Sequence, residues 1–401
     1  MALDKVSAAM MSPLSVSETA PSNPSVGQRW YRASTAVTYQ YTNDGTSSFW
    51  LDVSSSGIGT SADRGVDFVG DLDPHLETNG TGLAIGSVYY NREKNKHFVC
   101  TTATTNSNVW SGRFAGVGGI ETTYKSGSTF YRVHTFLSSG TFVTDSTTAC
   151  DILIIAGGGG GGEGSAGAGG GGGAGGFKYY PAKSTTAGAI DVTIGAGSTG
   201  ANSGADRGAA GTNSSFGALV SLGGGSGGSQ NTNVQPGLHT AAGTTGSGGG
   251  GGQRDNSNPN FGYGTPNQGN NGGSGHESGG MVGGGGGGAG AVGASGTSGA
   301  GGAGGAGITE GATVYNWTAG SGTVTFPAAF RVGSGGNLSY AGGGGGGGAS
   351  SHGAGGIGGG GAAAGTTIGA GAGTPNSGGG GGANGGNGGS GIIIVRYQLN
   401  A

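Results

Sequence analysis

The sequence predicts a mostly β and irregular protein with little α-helix, in which small N-terminal β modules precede a β unit that clamps a glycine-rich bundle of the polyglycine II type. Three observations predict it. Glycine fills uninterrupted blocks at 157–162, 169–173, 248–252, 283–288, 342–348 and 378–382. Aromatic residues recur at matching offsets in two stretches before residue 119. Apolar runs, Ile152 to Ile155 and Ile392 to Tyr397, bracket the glycine blocks. The chain holds 108 glycines in 401 residues and only 9% charged residues, where a soluble domain has about 25%. Glycine buries no side chain and loses the most backbone freedom on folding, so order in the glycine-rich part must come from backbone hydrogen bonds rather than apolar burial.

The first module, residues 1–60, opens on a short helix or extended lead and passes Pro21 and Pro24. Aromatic strands follow, with Tyr39 and Tyr41 set against Trp50 and Val53 across the turn former Asn43-Asp44-Gly45. The second module, residues 61–119, repeats the first. Gly86, Tyr89, Tyr90, Phe98, Cys100 and Trp110 follow the order and nearly the spacing of Gly27, Trp30, Tyr31, Tyr39, Tyr41 and Trp50. Each is too small to fold well alone, and paired mini-modules of this kind connect or oligomerise. Trp30, Tyr31, Trp50 and Trp110 are the expected attachment residues, since interfaces favour aromatic anchors.

The third region, residues 120–401, is read as strands near 128–156 and 391–399 enclosing a glycine-rich bundle at 157–390. Ile152 to Ile155 and Ile392 to Tyr397 should come together, and Ile190 to Ile194, Phe216 to Leu222 and Val314 to Phe326 should extend the same sheet. Three stretches beginning at Ala156, Val282 and Ala341 share one pattern: a small or apolar residue, six or seven glycines, then a Gly/Ala/Ser tract. No Gly-X-Y triplet repeats, which excludes collagen. In a polyglycine II bundle each strand is a threefold extended helix without internal hydrogen bonds, and its N–H groups reach neighbours in several lateral directions. Ala and Ser then belong on the outer faces. A flexible Gly/Ser linker is the alternative, against which stand the apolar clamps and the repeated lead-in residues.

Net charge is -3 and Lys and Arg are scattered, so neither nucleic-acid binding nor membrane attraction is expected. No stretch approaches the roughly 20 apolar residues of a membrane span, and the start lacks the pattern of a secretory signal. Cys100 and Cys150 are either two unpaired buried thiols or one bridge. GxGxxG strings arise from glycine abundance alone, the six histidines lie apart, and no zinc spacing occurs. Asp71, Asp73 and His75 read as a solvated turn. No enzyme activity, cofactor or metal is expected. Binding chemistry concentrates in loops between glycine runs: Phe261, Tyr263, Asn267, Gln268 and Asn270, with Tyr315 and Trp317. Aromatic rings and amides there suit stacking on sugar rings or packing on a surface receptor. Tyr315 and Trp317 serve equally as caps on the bundle.

The run DILIIAGGGGGG, then VTIGAG, TNSSFGA, LGGGSGG and the closing GGSGIIIVRY, resembles the glycine-rich domain common in tail fibre and tail-tip proteins of bacteriophages, especially those of marine cyanobacteria. The resemblance covers roughly residues 128–399, and the N-terminal PSNPSVGQRWY to SSFWLDV stretch is similar to a tail-fibre module near attachment ends. It implies a virion tail protein, made in the host cytoplasm without a signal peptide. Tip adhesins of T-even-like phages supply a polyglycine II precedent. No His-x-His repeat or C-terminal autoproteolytic chaperone is evident. The partners implied are other phage tail proteins through the N-terminal modules and a host cell-surface glycan or protein, with a homotrimer or a monomer both open. The alternatives are a structural virion protein, as a capsid decoration or adaptor without receptor binding, and an ice-binding polyglycine II protein.

Overall fold

The computed structural model describes residues 14–26, 28–32, 37–43, 48–52, 66–93, 96–112, 116–144, 147–164, 168–201, 206–230, 243–253, 261–276, 280–328, 330, 338–364 and 369–399. The lead before residue 14, Gly27 and most of the turn after Asn43 lie outside the described residues, as do 254–260. Among the described residues every regular element is a strand, and the chain divides into two units, Met1–Arg113 and Phe114–Ala401.

In the first unit, β1 (Leu14–Val16), β2 (Arg29–Arg32), β3 (Val37–Asn43) and β4 (Ser48–Asp52) form one sheet in that order. A second sheet holds β5 (Phe68–Gly70), β6 (Val88–Asn91), β7 (Lys96–Thr102) and β8 (Val109–Gly112), again in that order. Each begins with a parallel pair and continues antiparallel. The repeat seen in the sequence extends to register: Trp30 faces Tyr39 as Tyr89 faces Phe98, and Tyr41 faces Trp50 as Cys100 faces Trp110. The ring geometry repeats too, with Trp30 and Trp50 T-shaped at 5.6 Å and Tyr89 and Trp110 T-shaped at 5.7 Å. Packing of this kind adds about 1 kcal/mol to simple burial, which a four-stranded module with little other core needs.

The second unit contains β9 (Gly116–Val117), β10 (Ile120–Ser126), β11 (Thr129–Phe136), β12 (Gly140–Thr144), β13 (Thr148–Ile155), β14 (Phe177–Thr185) and β15 (Gly188–Thr193). It continues with β16 (Ser214–Phe216), β17 (Leu219–Ser221), β18 (Ile308–Thr309), β19 (Thr313–Tyr315), β20 (Thr323–Thr325), β21 (Ser339–Tyr340) and β22 (Ile392–Gln398). The main sheet runs β10-β11-β22-β13-β14, so the last strand is inserted between β11 and β13. Ile152 pairs with Val395 and Ile155 with Ile392, as the apolar runs predict. Both faces of this sheet are covered, which is why the runs are continuous rather than alternating. Leu153, Ile155, Ile392 and Ile394 join Phe177, Tyr179, Phe326, Phe330 and Tyr340 in one core cluster. On the second sheet, Phe142 meets Phe216 at 5.7 Å and His134 of β11 at 5.1 Å.

Three segments expected to extend the main sheet do not. The 190–194 and 216–222 segments build a separate sheet, order β17-β16-β15-β12-β9, and 314–326 forms the hairpin β19-β20. Period-two patterning marks a strand without naming its partner. β9 also lies ahead of residue 120, pairing with Val143 and Thr144, so the glycine-rich unit starts earlier than the sequence boundary.

The glycine blocks form the polyglycine II arrangement. From Gly157 onward, consecutive N–H groups donate to Thr212, Gly389, Gly173, Ala209, Gly386 and Gly170, so every third residue returns to the same neighbouring segment. Its carbonyls accept from Gly224, Ser198, Gly381, Gly227, Ala201 and Asn384, three further neighbours in the same rotation. The segment therefore touches six others. The 283–288 block does the same, donating to the segments at 344–347, 248–251 and 291–294 and accepting from those at 302–305, 171–174 and 270–273. A Cβ on Gly159, Gly160 or Gly161 would strike the carbonyl of Gly225, Thr199 or Gly382 respectively, three different neighbours. Only glycine fits such a position. Outer segments relax the rule with period three: Gly208, Gly293, Gly296, Gly302 and Gly305 are buried while Ala209, Ala294 and Ala303 are exposed.

Candidate functional site

Two loops of the glycine-rich unit emerge beside β14. The 265–270 turn is tied there by Phe177 N–H donating to the Gln268 carbonyl at 2.9 Å, and the loop after β19 by Trp317 N–H donating to Tyr179 O at 3.4 Å. Between them lies a groove of about 260 Å³ lined by Phe177, Asn267, Gln268, Gly269, Asn270, Ala289, Gly290, Ile308, Thr313, Val314, Tyr315 and Trp317. Five of the seven residues singled out in the sequence, Asn267, Gln268, Asn270, Tyr315 and Trp317, thus share one wall system.

Their roles differ. Gln268 is buried at 5% exposure, not presented at the surface as expected, because its Oε1 accepts from Leu222 N–H at 3.1 Å. Asn270 spends its Nδ2 on the carbonyls of Gly288 and Ala289, both at 3.0 Å, closing the turn onto the bundle. Asn267 is exposed, with φ 66°, a left-handed conformation that Asn tolerates. Tyr315 and Trp317 meet T-shaped at 5.1 Å, and the Tyr315 hydroxyl donates to Gly320 O. Phe261 and Tyr263 are T-shaped at 5.5 Å and stand apart from the groove.

No charged side chain lines the groove. Lys178, next to it on β14, holds its ammonium 3.9 Å from the centre of the Trp317 ring, and burial lowers its pKa. Of the residues expected to serve attachment, Trp30 and Trp110 are buried in their own modules, and Tyr31 and Trp50 are half-buried. In the Asp71 to His75 stretch Asp71 is exposed, as a solvated turn requires, but Asp73 is buried. Asp71 pairs with Arg92 at 2.8 and 3.1 Å, and buried Asp73 accepts from Asn91 Nδ2 at 2.7 Å. Cys100 and Cys150 are free and buried. Among the described residues no group of three or more His, Cys, Asp or Glu could hold a metal ion.

A family model described as a glycine-rich domain matches residues 136–398, from the end of β11 to the end of β22. The chain belongs to the glycine-rich domain family. No curated protein matches it. The glycine-rich domain proper thus includes the whole bundle and the groove, while β9, β10 and most of β11 precede it. Sequence reasoning passed over Phe177, Ile308 and Thr313 in the groove wall. Phe177 follows directly on a glycine tract, as Ile152 to Ile155 precede one, and that position at the bundle's mouth is the signal that marks it.

Proposed function

We propose that this glycine-rich domain protein is a bacteriophage tail fibre or fibre-tip protein, joined to the tail through its aromatic N-terminal modules and recognising the host surface with loops on the glycine bundle. One observation carries the reading: loop residues from Asn267 to Trp317, far apart in the chain, converge on one uncharged groove with aromatic and amide walls. Recognition residues on loops held by a rigid scaffold are the common arrangement of binding proteins. The likeness of the glycine blocks and the N-terminal module to tail-fibre sequences supplies the virion context. The test is adsorption. Purified protein should bind host cells and compete with particles, and particles bearing Trp317→Ala should adsorb poorly while containing normal amounts of the chain. Failure of the purified protein to bind any cell that the particle infects sinks the adhesin reading.

A second reading, a structural adaptor of the virion, is favoured by the cap-like packing of Trp317. Its ring lies against Lys178 and Tyr180, and Thr318 Oγ1 donates to Pro181 O at 2.7 Å. On that reading Trp317→Ala lowers the melting temperature and the incorporation of the chain, and adsorption falls only in proportion.

A further inference from the structure

We propose that the groove between the 265–270 turn and the β19 loop is a site for one or two rings of a neutral sugar. This rests on the adhesin reading and names the chemistry of its ligand. The polar groups left open in the groove wall are those that hydroxyls satisfy. Gln268 is 5% exposed, its Oε1 is occupied by Leu222 N–H, and among the described residues its Nε2 has no intramolecular partner. The same residue lines the groove, which makes this unspent nitrogen a donor for a ligand seated there. A donor fixed in this way by the backbone of the bundle is preorganised, which lowers the entropy lost on binding.

Asn267 adds an exposed carboxamide able to donate and accept, and Thr313 a hydroxyl. The Trp317 Nε1 likewise has no intramolecular partner among the described residues. Tyr315 and Trp317 contribute ring surface, the apolar partner that the C–H face of a sugar takes. Charge decides the class of sugar. No Asp, Glu, Lys or Arg lines the groove, and the nearest cation, the Lys178 ammonium, is engaged on the Trp317 ring. A carboxylate or sulfate brought here would lose water without an opposite charge in the wall. Size sets the length. The 260 Å³ space lies just below the roughly 300–1,000 Å³ of pockets for drug-sized ligands, room for one or two rings.

The test titrates the full chain with glucose, galactose, mannose and N-acetylglucosamine, and with sialic acid as the charged counterpart, by calorimetry. At least one neutral sugar should bind with a Kd of about 1 mM, and Trp317→Ala and Asn267→Gly should each weaken it at least about tenfold. Asn267→Gly removes the amide where φ is already positive, so it keeps the fold, and an unchanged melting temperature confirms that. Binding of none of the four, tighter binding of sialic acid, or binding unaffected by both substitutions overturns the proposal. Adsorption of particles carrying Asn267→Gly separates the two claims. Sugar binding with undiminished adsorption leaves the site and removes its role in adhesion, whereas adsorption by a chain that binds no sugar leaves the adhesin reading and removes the site.

Discussion

Gly285 and Gly345 lie in blocks with neighbours on every side, and a Cβ on either would run into a backbone carbonyl, that of Ala303 or Gly353. Backbone cannot yield as a flexible side chain does. Val at either position should cost at least about 3 kcal/mol, the upper end for overpacked interiors, while Ala294→Val, on an exposed position of an outer segment, should be nearly silent. Urea midpoints of the three variants check the contrast, and equal midpoints contradict close packing. His134 offers a second residue-level prediction. It is fully buried, with its Nδ1 2.8 Å from Gly118 O and its Nε2 3.2 Å from the Tyr397 hydroxyl. Burial, with Arg132 acting the same way, pushes its pKa down to about 4 against the opposing pull of the Gly118 carbonyl and Glu121. The unfolded chain therefore takes up this proton first as pH falls. Stability from His134 is complete above about pH 6.5 and is lost towards pH 4, on the order of 3 kcal/mol in all. Urea midpoints from pH 7 to 4 should fall more steeply for the wild type than for His134→Gln; parallel slopes exclude His134 as the cause.

At the scale of elements, β22 closes the unit. It pairs with β11 on one side and β13 on the other, and its Arg396 is buried against Asp151, the Tyr124 hydroxyl at 2.8 Å and the rings of Tyr131 and Phe330. Arg396→Met leaves Asp151 without its cation and should cost about 3–5 kcal/mol, read as a shift in urea midpoint. Asp151→Asn together with Arg396→Met should recover part of that loss, and no recovery contradicts the pair. This closure was legible because two isoleucine-rich runs had no other apolar partners of equal length. The bundle was legible for a related reason. An uninterrupted block states that every direction is occupied, and a glycine at every third position states that one is. The second sheet was not legible, since β12, β15 and β16 are short and their patterning fits any half-buried neighbour. The groove was half legible. Its polar and aromatic residues stood out in loops, but the turn that withdraws Gln268 into the bundle depends on a carbonyl and an N–H that composition cannot locate.

For the whole molecule, the division after Arg113 predicts what truncation does. A chain beginning at Phe114 should keep the melting temperature of the glycine-rich unit. One beginning at Ile120 loses β9 and the contact between Gly116 N–H and the Tyr397 hydroxyl, and should melt several degrees lower; identical melting curves contradict the boundary. Neither should enter particles if the N-terminal modules carry attachment, which a blot of purified particles decides. The six-neighbour packing of the glycine blocks reaches further, into the thermodynamics of unfolding. The heat capacity of unfolding rises with apolar surface exposed and falls with polar surface exposed. When the bundle opens it wets peptide groups and few hydrocarbon side chains, so its heat capacity increment per residue lies below the usual 12–15 cal/mol/K or so. A small increment flattens the stability curve. With little change in its unfolding entropy the bundle goes on gaining stability down to near-freezing water, where a hydrocarbon-cored domain of equal melting temperature has passed its maximum and weakens with the cold.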